Sequence, residues 1–331
     1  MRRSMIFLVL AMVFLIATGV RAAGPSPSGP GPAWAVLAPV PTSFPFSAGV
    51  EGMSVASVGD KIIAALGYDS GDTNLTRIYD IAHNTWSFGA TAPGASSEGA
   101  GVAHGGLFYN VGGRGAGFNS LWSYNPPSDT WNSGLAPMPT PRAGLGAAVV
   151  GNAIYAIGGR TATGGPCSGG GVFESATVER YDIATDTWST VAPLPTPRSD
   201  LAAATVGDKI YVFGGCRGSF TILADVDVYD PVTDTWSTLP ADMPTPRAGM
   251  YAVGEKGNTV YVIGGWDGIG TGLSTNESYK VSSDAWTTGL PPMPTARAET
   301  GAADHGGRIY IVGGAKPGFG ASVNANEVFK P

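Results

Sequence analysis

The sequence is poor in charged residues, in histidine and in cysteine, and each shortage excludes a class of function. Charged residues make up only 13% of the 331 residues, and the net charge is −6 at pH 7. Such a chain has no basic field with which to hold nucleic acid or an anionic membrane surface. Its three histidines and two cysteines do not form the Cys/His spacing of a zinc site. We therefore expect no metal, no cofactor, no nucleic-acid partner and no membrane binding by the folded domain.

The histidines stand in predicted turns rather than together. His104 in "AHGG" and His305 in "DHGG" occupy matching turns in which related segments read "VGD" or "VGN", and His83 lies in another turn. A turn role is therefore expected for each of them. The acidic stretch "DSGDTN" (69–74) is similar to a calcium loop, but it lacks the distal glutamate and the full ligand spacing.

Long apolar runs are also lacking, with one exception at the N-terminus. Residues 5–20 form an unbroken stretch of apolar or small side chains after the basic "MRRS", and "VRAAG" follows. This stretch is short for a membrane span but typical of a secretory signal peptide with a small-residue cleavage point. The pattern predicts a cleaved signal over 1–22, a Gly/Pro/Ser-rich linker over 23–33, and a secreted or periplasmic protein. A retained N-terminal membrane anchor is the alternative.

Glycine, proline and aromatic residues are abundant instead, and they recur in a repeated order. The chain has 50 glycines and 26 prolines, a composition that suits many short strands joined by tight turns. Four near-copies of one segment place a tryptophan, a Pro-rich elbow and an arginine in the same order. They are "SDTWNSGLAPMPTPRAG" (128–144), "TDTWSTVAPLPTPRSD" (185–200), "TDTWSTLPADMPTPRAG" (233–249) and "SDAWTTGLPPMPTARAE" (283–299).

Three marks recur through the copies of the longer repeat that contains these segments, and the last copy lacks the third. The first is a short apolar strand ending in Gly-Gly, as in "KIYVFGG" (209–215), with the worn version "KIIAALG" at 61–67. The second is an aromatic residue: Tyr79, Tyr124, Tyr181, Tyr229, Tyr279 and, in the last copy, Phe329. The third is a tryptophan seven residues after each tyrosine: Trp86, Trp131, Trp188, Trp236 and Trp286. Repeats of about 45 to 57 residues have the length of propeller blades.

This combination of marks resembles the kelch motif, and the resemblance covers residues 34–331 with six copies. It implies an all-β fold, a six-bladed β-propeller whose blades are four-stranded antiparallel sheets around a central channel. The last copy stops at "NEVFKP" without a tryptophan strand, whereas "AWAVLAPVP" (33–41) looks like such a strand. We predict that Trp34 supplies the outermost strand of the last blade and closes the ring into one domain.

The elbow arginines are the first candidate ligand-binding residues: Arg142, Arg198, Arg247 and Arg297. In the first two copies Val50 and Ser96 stand at about the corresponding positions. An arc of guanidinium groups at the channel mouth would suit a carboxylate, sulfate or phosphate. Kelch domains of ubiquitin-ligase adaptors hold acidic peptides with arginines at similar positions. The alternative is that these arginines fasten the blades by pairing with backbone carbonyls or with carboxylates such as Asp200 and Glu299.

The loops after Gly-Gly supply the other candidates on the same face. Tyr68 and Trp266 directly follow the Gly-Gly position in two copies. Each could stack on a sugar or a peptide side chain, or could cover a neighbouring loop. Cys167 lies in the longest of these loops, and Cys216 follows the Gly-Gly pair of the next copy. In an oxidising compartment a disulfide between them is expected, with two free thiols as the alternative.

These features favour a monomeric, non-catalytic binding module that recognises a protein segment or a glycan, with the arginines favouring an acidic one. The alternative is a sugar-converting enzyme resembling the exported sialic-acid mutarotases, which are also six-bladed kelch propellers. That resemblance implies a glutamate and an arginine flanking an "AKPG"-like stretch. Here "GGAKPGFG" (313–320) has Gly314 and Gly320 at those places, so no general acid–base pair is predicted.

Overall fold

The computed structural model describes residues 27, 29–43, 48–161, 167, 173–255, 258–269, 272–316 and 321–331. The predicted signal peptide (1–22) and part of the predicted linker lie outside the described residues. Within the described part of the chain, no helix combines the length and the apolar character needed to cross a bilayer.

Strands dominate the described chain, together with one 3-10 turn at Val281–Ser283. In chain order the strands are β1 (Ala33–Val36), β2 (Ser54–Val58), β3 (Lys61–Ala65), β4 (Thr76–Asp80), β5 (Thr85–Gly89), β6 (Ser96–Ser97), β7 (Ala100–His104), β8 (Leu107–Val111), β9 (Arg114–Gly115), β10 (Leu121–Asn125), β11 (Thr130–Asn132), β12 (Gly146–Val150), β13 (Ala153–Ile157), β14 (Val178–Asp182), β15 (Thr187–Val191), β16 (Ala202–Val206), β17 (Lys209–Phe213), β18 (Cys216–Arg217), β19 (Thr221–Ile222), β20 (Val226–Asp230), β21 (Thr235–Thr238), β22 (Tyr251–Glu255), β23 (Thr259–Ile263), β24 (Asn276–Lys280), β25 (Ala285–Thr287), β26 (Gly301–Asp304), β27 (Ile309–Val312) and β28 (Asn326–Lys330).

Six four-stranded antiparallel sheets form the blades of a propeller, which confirms the predicted fold. Blade I contains β2 to β5, blade II β7, β8, β10 and β11, and blade III β12 to β15. Blade IV contains β16, β17, β20 and β21, blade V β22 to β25, and blade VI β26 to β28 together with β1. The innermost strands β2, β7, β12, β16, β22 and β26 surround the central channel.

The ring closes through the N-terminal strand, as predicted. Strand β1 pairs antiparallel with β28 over four residues, and Trp34 lies opposite Phe329 in that register. The two rings contact each other with centroids 5.0 Å apart. Blade VI is therefore built from both ends of the domain.

The tyrosine and tryptophan marks join each blade to the preceding one. Tyr229 and Trp236 face each other across the β20–β21 hairpin, which explains their seven-residue spacing. The turn residue Asp234 has a φ of 53°, and its carboxylate accepts hydrogen bonds from the Tyr229 hydroxyl (2.6 Å) and the Ala192 amide of blade III (2.8 Å). The Trp236 indole N–H donates to the Ala192 carbonyl at 2.8 Å. Equivalent indole bonds join Trp34 to Pro291, Trp86 to Ala38, Trp131 to Ala90, Trp188 to Ala136 and Trp286 to Ala241.

The Gly-Gly pairs allow the next elbow to pack against the end of the second strand. Gly214 and Gly215 have φ values of 49° and 94°, which side chains rarely adopt. A Cβ atom on Gly214 would lie 2.5 Å from the Arg247 carbonyl oxygen. The elbow backbone therefore rests directly on the glycine, and this contact fixes where the elbow arginine enters the blade.

Candidate binding face

The elbows and the loops after Gly-Gly open on one side of the propeller, which we call the elbow face. At its centre six residues, one per blade, form a closed circle of backbone hydrogen bonds. Each N–H donates to the carbonyl of the residue before it in the circle, at 2.7 to 3.0 Å. We call this circle the mouth ring, and its members are Gly52, Glu98, Gly144, Asp200, Gly249 and Glu299.

Glycine and an acidic residue alternate around the mouth ring. All six members have left-handed backbone conformations, with φ between 51° and 59°. Glycine adopts this conformation at no steric cost, whereas a glutamate or aspartate pays about 1 to 2 kcal/mol. Three acidic residues are thus kept in an unfavourable conformation at one end of the channel, a pattern typical of functional sites.

The mouth ring is the entrance to a cavity of about 380 Å³. Its wall consists of the six innermost strands and is built mainly from glycine, alanine and valine, such as Gly101, Ala147 and Ala203. A Cβ atom on Gly101 would lie 2.4 Å from the Val55 amide nitrogen, so the innermost strands of blades I and II pack directly against each other. Polar groups concentrate at its two ends rather than along its wall.

Two arginines from the loops after Gly-Gly compensate part of the negative charge at the mouth ring. Arg160 forms ion pairs with Glu98 and, at 3.3 Å, with Asp200. Arg114 pairs with Glu98 at 3.3 Å and with Asp72 at 3.1 Å. The Arg114 guanidinium also lies over the Tyr68 ring, 4.9 Å from its centroid.

Glu299, the third acid of the ring, forms no ion pair within the described part of the chain. Its pKa is raised to about 8, mainly by burial and secondly by the negative charges of Asp200 and Glu51, against the opposing effect of Arg160 and Arg114. Burial also raises the pKa of Glu51. The carboxyl of Glu299 is therefore the least compensated group at the mouth.

Removing this carboxyl is expected to change how stability depends on pH. The folded pKa of Glu299, about 8, exceeds the ordinary value of 4.5, so between these values the folded chain holds a proton that the unfolded chain has released. The free energy of unfolding therefore falls as pH rises through this window. Glu299→Gln should abolish the decrease in the free energy of unfolding that Glu299 causes. The variant should then be about 3 kcal/mol more stable than wild type above pH 8 and similar to it near pH 5.

The measurement is urea unfolding of both proteins at the two pH values. Asp208→Asn is the matched control, because Asp208 is an exposed acid in the β16–β17 turn on the opposite face. It should follow the wild-type curve. Identical pH profiles for Glu299→Gln and wild type would contradict the prediction.

The structure places the four elbow arginines inside the blades. Arg142, Arg198, Arg247 and Arg297 have no exposed surface. Each pairs with a buried acid on the third strand of its blade: Arg142 with Glu179 at 2.8 Å, Arg198 with Asp227 at 2.7 Å, Arg247 with Glu277 at 2.6 Å and Arg297 with Glu327 at 2.6 Å. The guanidinium groups thus form ion pairs that hold each blade together, as the alternative interpretation expected, but their partners are not Asp200 and Glu299. We assign them a structural role and do not include them in the candidate site.

Blade I fills the same guanidinium position from its third strand instead of from an elbow. Arg142 donates to the Gly158 carbonyl at 2.6 Å, and in blade I the corresponding carbonyl of Leu66 accepts from Arg77 at 3.1 Å. Arg77 lies on β4, at the position that bears the acid in blades III to VI, and burial lowers its pKa to about 10. The replacement of the acid by an arginine is visible in the sequence, since "TRIYD" (76–80) has Arg77 at the position of Glu179 in "VERYD" (178–182).

The remaining predicted residues lie in loops of the elbow face. Cys167 and Cys216 form the expected disulfide, which ties the longest loop to the next blade. Trp266 is only 7% exposed and packs edge-to-face with Phe220, with centroids 5.8 Å apart. Phe220 in turn donates its amide to the Cys167 carbonyl at 3.1 Å. Tyr68 serves as the platform for Arg114 described above.

Sequence reasoning missed the mouth ring and its two arginines. The signal was a fixed position shortly after each elbow, occupied by glycine or an acid: "EGM" (51–53), "SEG" (97–99), "AGL" (143–145), "SDL" (199–201), "AGM" (248–250) and "AET" (298–300). Arg114 and Arg160 directly follow their Gly-Gly pairs, at the position that Tyr68 and Trp266 occupy in other blades.

Comparison with known proteins identifies the family. A family model described as the KLHDC2/KLHL20/DRC7 Kelch-repeats domain matches residues 102–314. The chain belongs to the kelch-repeat family. Kelch-like protein 25 of Xenopus tropicalis and of Homo sapiens are each 31% identical to it over 144 residues, which is 42% of this chain and 24% of the relative. Kelch-like protein 15 of Gallus gallus is 33% identical over 103 residues, covering 31% of this chain and 19% of the relative.

The kelch match concerns the propeller alone, because the chain spans at most about a quarter of the length of these curated relatives. Kelch propellers are typically protein-binding modules and generally have no catalytic activity. The chain is thus a kelch propeller, a fold that typically serves as a protein-binding module.

Proposed function

We propose that this kelch propeller is an exported, monomeric, non-catalytic module whose elbow face contacts the ligand, a protein segment rather than a glycan. The observation that carries the proposal is the mouth ring. It places three acidic residues in left-handed conformations around the entrance of a cavity, in the centre of a face made by loops of unequal length. Loops that vary on a rigid scaffold are where binding specificity usually lies.

Export is supported by two independent features. The N-terminal pattern over 1–22 is that of a signal peptide. The disulfide between Cys167 and Cys216 is a crosslink that persists mainly in oxidising compartments. Mass spectrometry of the chain recovered outside the cytoplasm should find a mature N-terminus near residue 23, whereas an intact N-terminus would favour the membrane-anchored alternative.

The sugar-converting alternative receives no support from the described part of the "GGAKPGFG" segment. Gly314 has a φ of 114°, and a Cβ atom there would lie 2.6 Å from the Ala298 carbonyl oxygen. A glutamate or arginine could not stand at this position without moving the elbow backbone. Gly320, the other position of interest, lies outside the described residues.

The test is a peptide array and a glycan array, each probed with the chain and with two matched variants. Ile269 is 87% exposed on a loop of the elbow face, and Val232 is 88% exposed on a hairpin of the opposite face. Ile269→Ser should weaken capture of peptides, and Val232→Ser should leave it unchanged. Equal loss in both variants, or capture confined to glycans, would contradict the proposal.

A further inference from the structure

The elbow face carries more negative than positive charge once the elbow arginines are paired inside the blades. Among the described residues, five acids lie at or near the mouth ring, Glu51, Asp72, Glu98, Asp200 and Glu299, and the ion pairs they form are with Arg114 and Arg160. A cleft of one sign with low-dielectric walls concentrates its field at the opening. The mouth therefore attracts cations and repels acidic ligands. The four elbow arginines do not offset this charge at the surface, because they are buried.

A second observation at the same place indicates that a donor is missing. Thr300 follows Glu299 directly, is only 3% exposed and lines the cavity. Its hydroxyl has no hydrogen-bond partner in the described part of the chain. Buried polar groups are usually satisfied, so the partnerless hydroxyl of Thr300, next in the chain to the carboxyl of Glu299, fits a bound group that donates hydrogen bonds.

An apolar surface borders the acidic mouth on the side of blades IV and V. It consists of Phe220, Ile222, Trp266 and Ile269, which we call the apolar patch. Phe220 is 48% and Ile269 is 87% exposed. The two loops meet, because a Cβ atom on Gly268 would lie 2.7 Å from Ile222.

The apolar patch lies close to the mouth ring, because the backbone residues that pair with its two loops come directly before mouth-ring residues in the chain. Cys216 pairs with Ser199 and Trp266 pairs with Ala248 as isolated bridges, and the mouth-ring members Asp200 and Gly249 follow directly in the chain. A short peptide can therefore contact both surfaces at once.

We propose that the elbow face binds a basic protein segment, in which a lysine or arginine side chain enters the mouth beside Glu299 and Thr300 while a neighbouring hydrophobic side chain lies on the apolar patch. This inference rests on the proposed binding function and specifies the chemistry of its ligand. The ammonium or guanidinium group supplies a donor to the Thr300 hydroxyl and a positive charge to the Glu299 carboxyl. The apolar neighbour covers Ile269 and Phe220.

The test uses labelled heptapeptides GSLXLSG, with X being Lys, Arg, Gln or Glu, titrated against the full chain by fluorescence anisotropy. The Lys and Arg peptides should bind about tenfold or more tightly than the Gln peptide, and the Glu peptide should bind most weakly. Raising the salt concentration from about 0.05 M to about 0.5 M should reduce the preference for Lys. Glu299→Gln should remove that preference while the protein remains folded, and Asp208→Asn should retain it.

The results of these titrations distinguish a failure of the basic-ligand inference from a failure of the proposed binding function. If the Gln or Glu peptides bind as tightly as Lys in a manner sensitive to Ile269→Ser, the basic-ligand inference fails and the binding face stands. If no peptide responds to Ile269→Ser, or Val232→Ser weakens all of them equally, the binding face itself is wrong. Displacement of the Lys peptide by calcium, lost in Glu299→Gln, would assign the mouth to a metal cation and overturn the inference.

Discussion

Replacing Arg247 by methionine is expected to lower the free energy of unfolding by about 3 to 5 kcal/mol. Arg247 is fully buried, and its guanidinium donates to Glu277 at 2.6 Å and to the carbonyls of Thr245 at 2.7 Å and Val262 at 3.0 Å. Methionine fills much of the volume but leaves the Glu277 carboxylate buried without its cation. Most of the cost is the desolvation of that carboxylate rather than the loss of three hydrogen bonds.

The double variant Arg247→Met with Glu277→Leu isolates this cause. Because it removes both charges, it should recover most of the stability that the single variant loses. Arg217→Met is the matched control, since Arg217 is an exposed arginine on the same face, and it should stay within about 0.5 kcal/mol of wild type. Urea unfolding measures all three proteins. A folded Arg247→Met protein of wild-type stability would revive the hypothesis that the elbow arginines serve a ligand.

Removing the closing strand is expected to have the second large effect. A variant lacking residues 1–36 loses the four-residue pairing of β1 with β28, the Trp34–Phe329 ring contact and the indole bond to Pro291. Loss of a packed tryptophan alone typically costs about 3 to 5 kcal/mol, and the exposed edge of β28 becomes a template for pairing with other chains. We expect a lower melting temperature together with self-association.

Thermal unfolding and light scattering after size-exclusion chromatography measure these two effects. A variant lacking residues 1–22 retains β1 and should match the full chain in both. A monomeric 37–331 protein with unchanged melting temperature would show that blade VI is stable with three strands, and that closure of the ring does not depend on Trp34.

The sequence predicted the architecture because the architecture depends on repeated local patterns. The seven-residue step from Tyr229 to Trp236 is the length of one hairpin, and Gly214–Gly215 marks the end of a strand where only glycine fits. Six copies of such marks determine the number of blades, and the tryptophan missing from the last copy identifies Trp34 as its replacement. The disulfide was predictable for the same reason, since both cysteines fall in equivalent loops of adjacent blades.

The candidate site was predicted less well, because the repeat reports residue types and not the direction of side chains. An arginine that recurs in four elbows, such as Arg142, is equally compatible with binding a ligand at the channel mouth and with forming ion pairs inside the blade. Its partner Glu179 lies on a strand 37 residues later, at a position that sequence spacing does not relate to the elbow. Arg77 shows the same limit, since the sequence marks it in place of the acid, but only the structure shows that it supplies the guanidinium of blade I from the third strand.

The sequence by itself therefore determined the propeller, its six blades and its closure by β1, and it favoured the pairing of Cys167 with Cys216 that the structure shows. Only the tertiary structure decided which charges remain exposed. It buries four arginines against acids of the third strands and gathers Glu98, Asp200 and Glu299 from three blades into one ring. The physical reason is that hydrogen-bond geometry and hairpin length act over a few residues, whereas burial and ion pairing depend on groups brought together from distant parts of the chain.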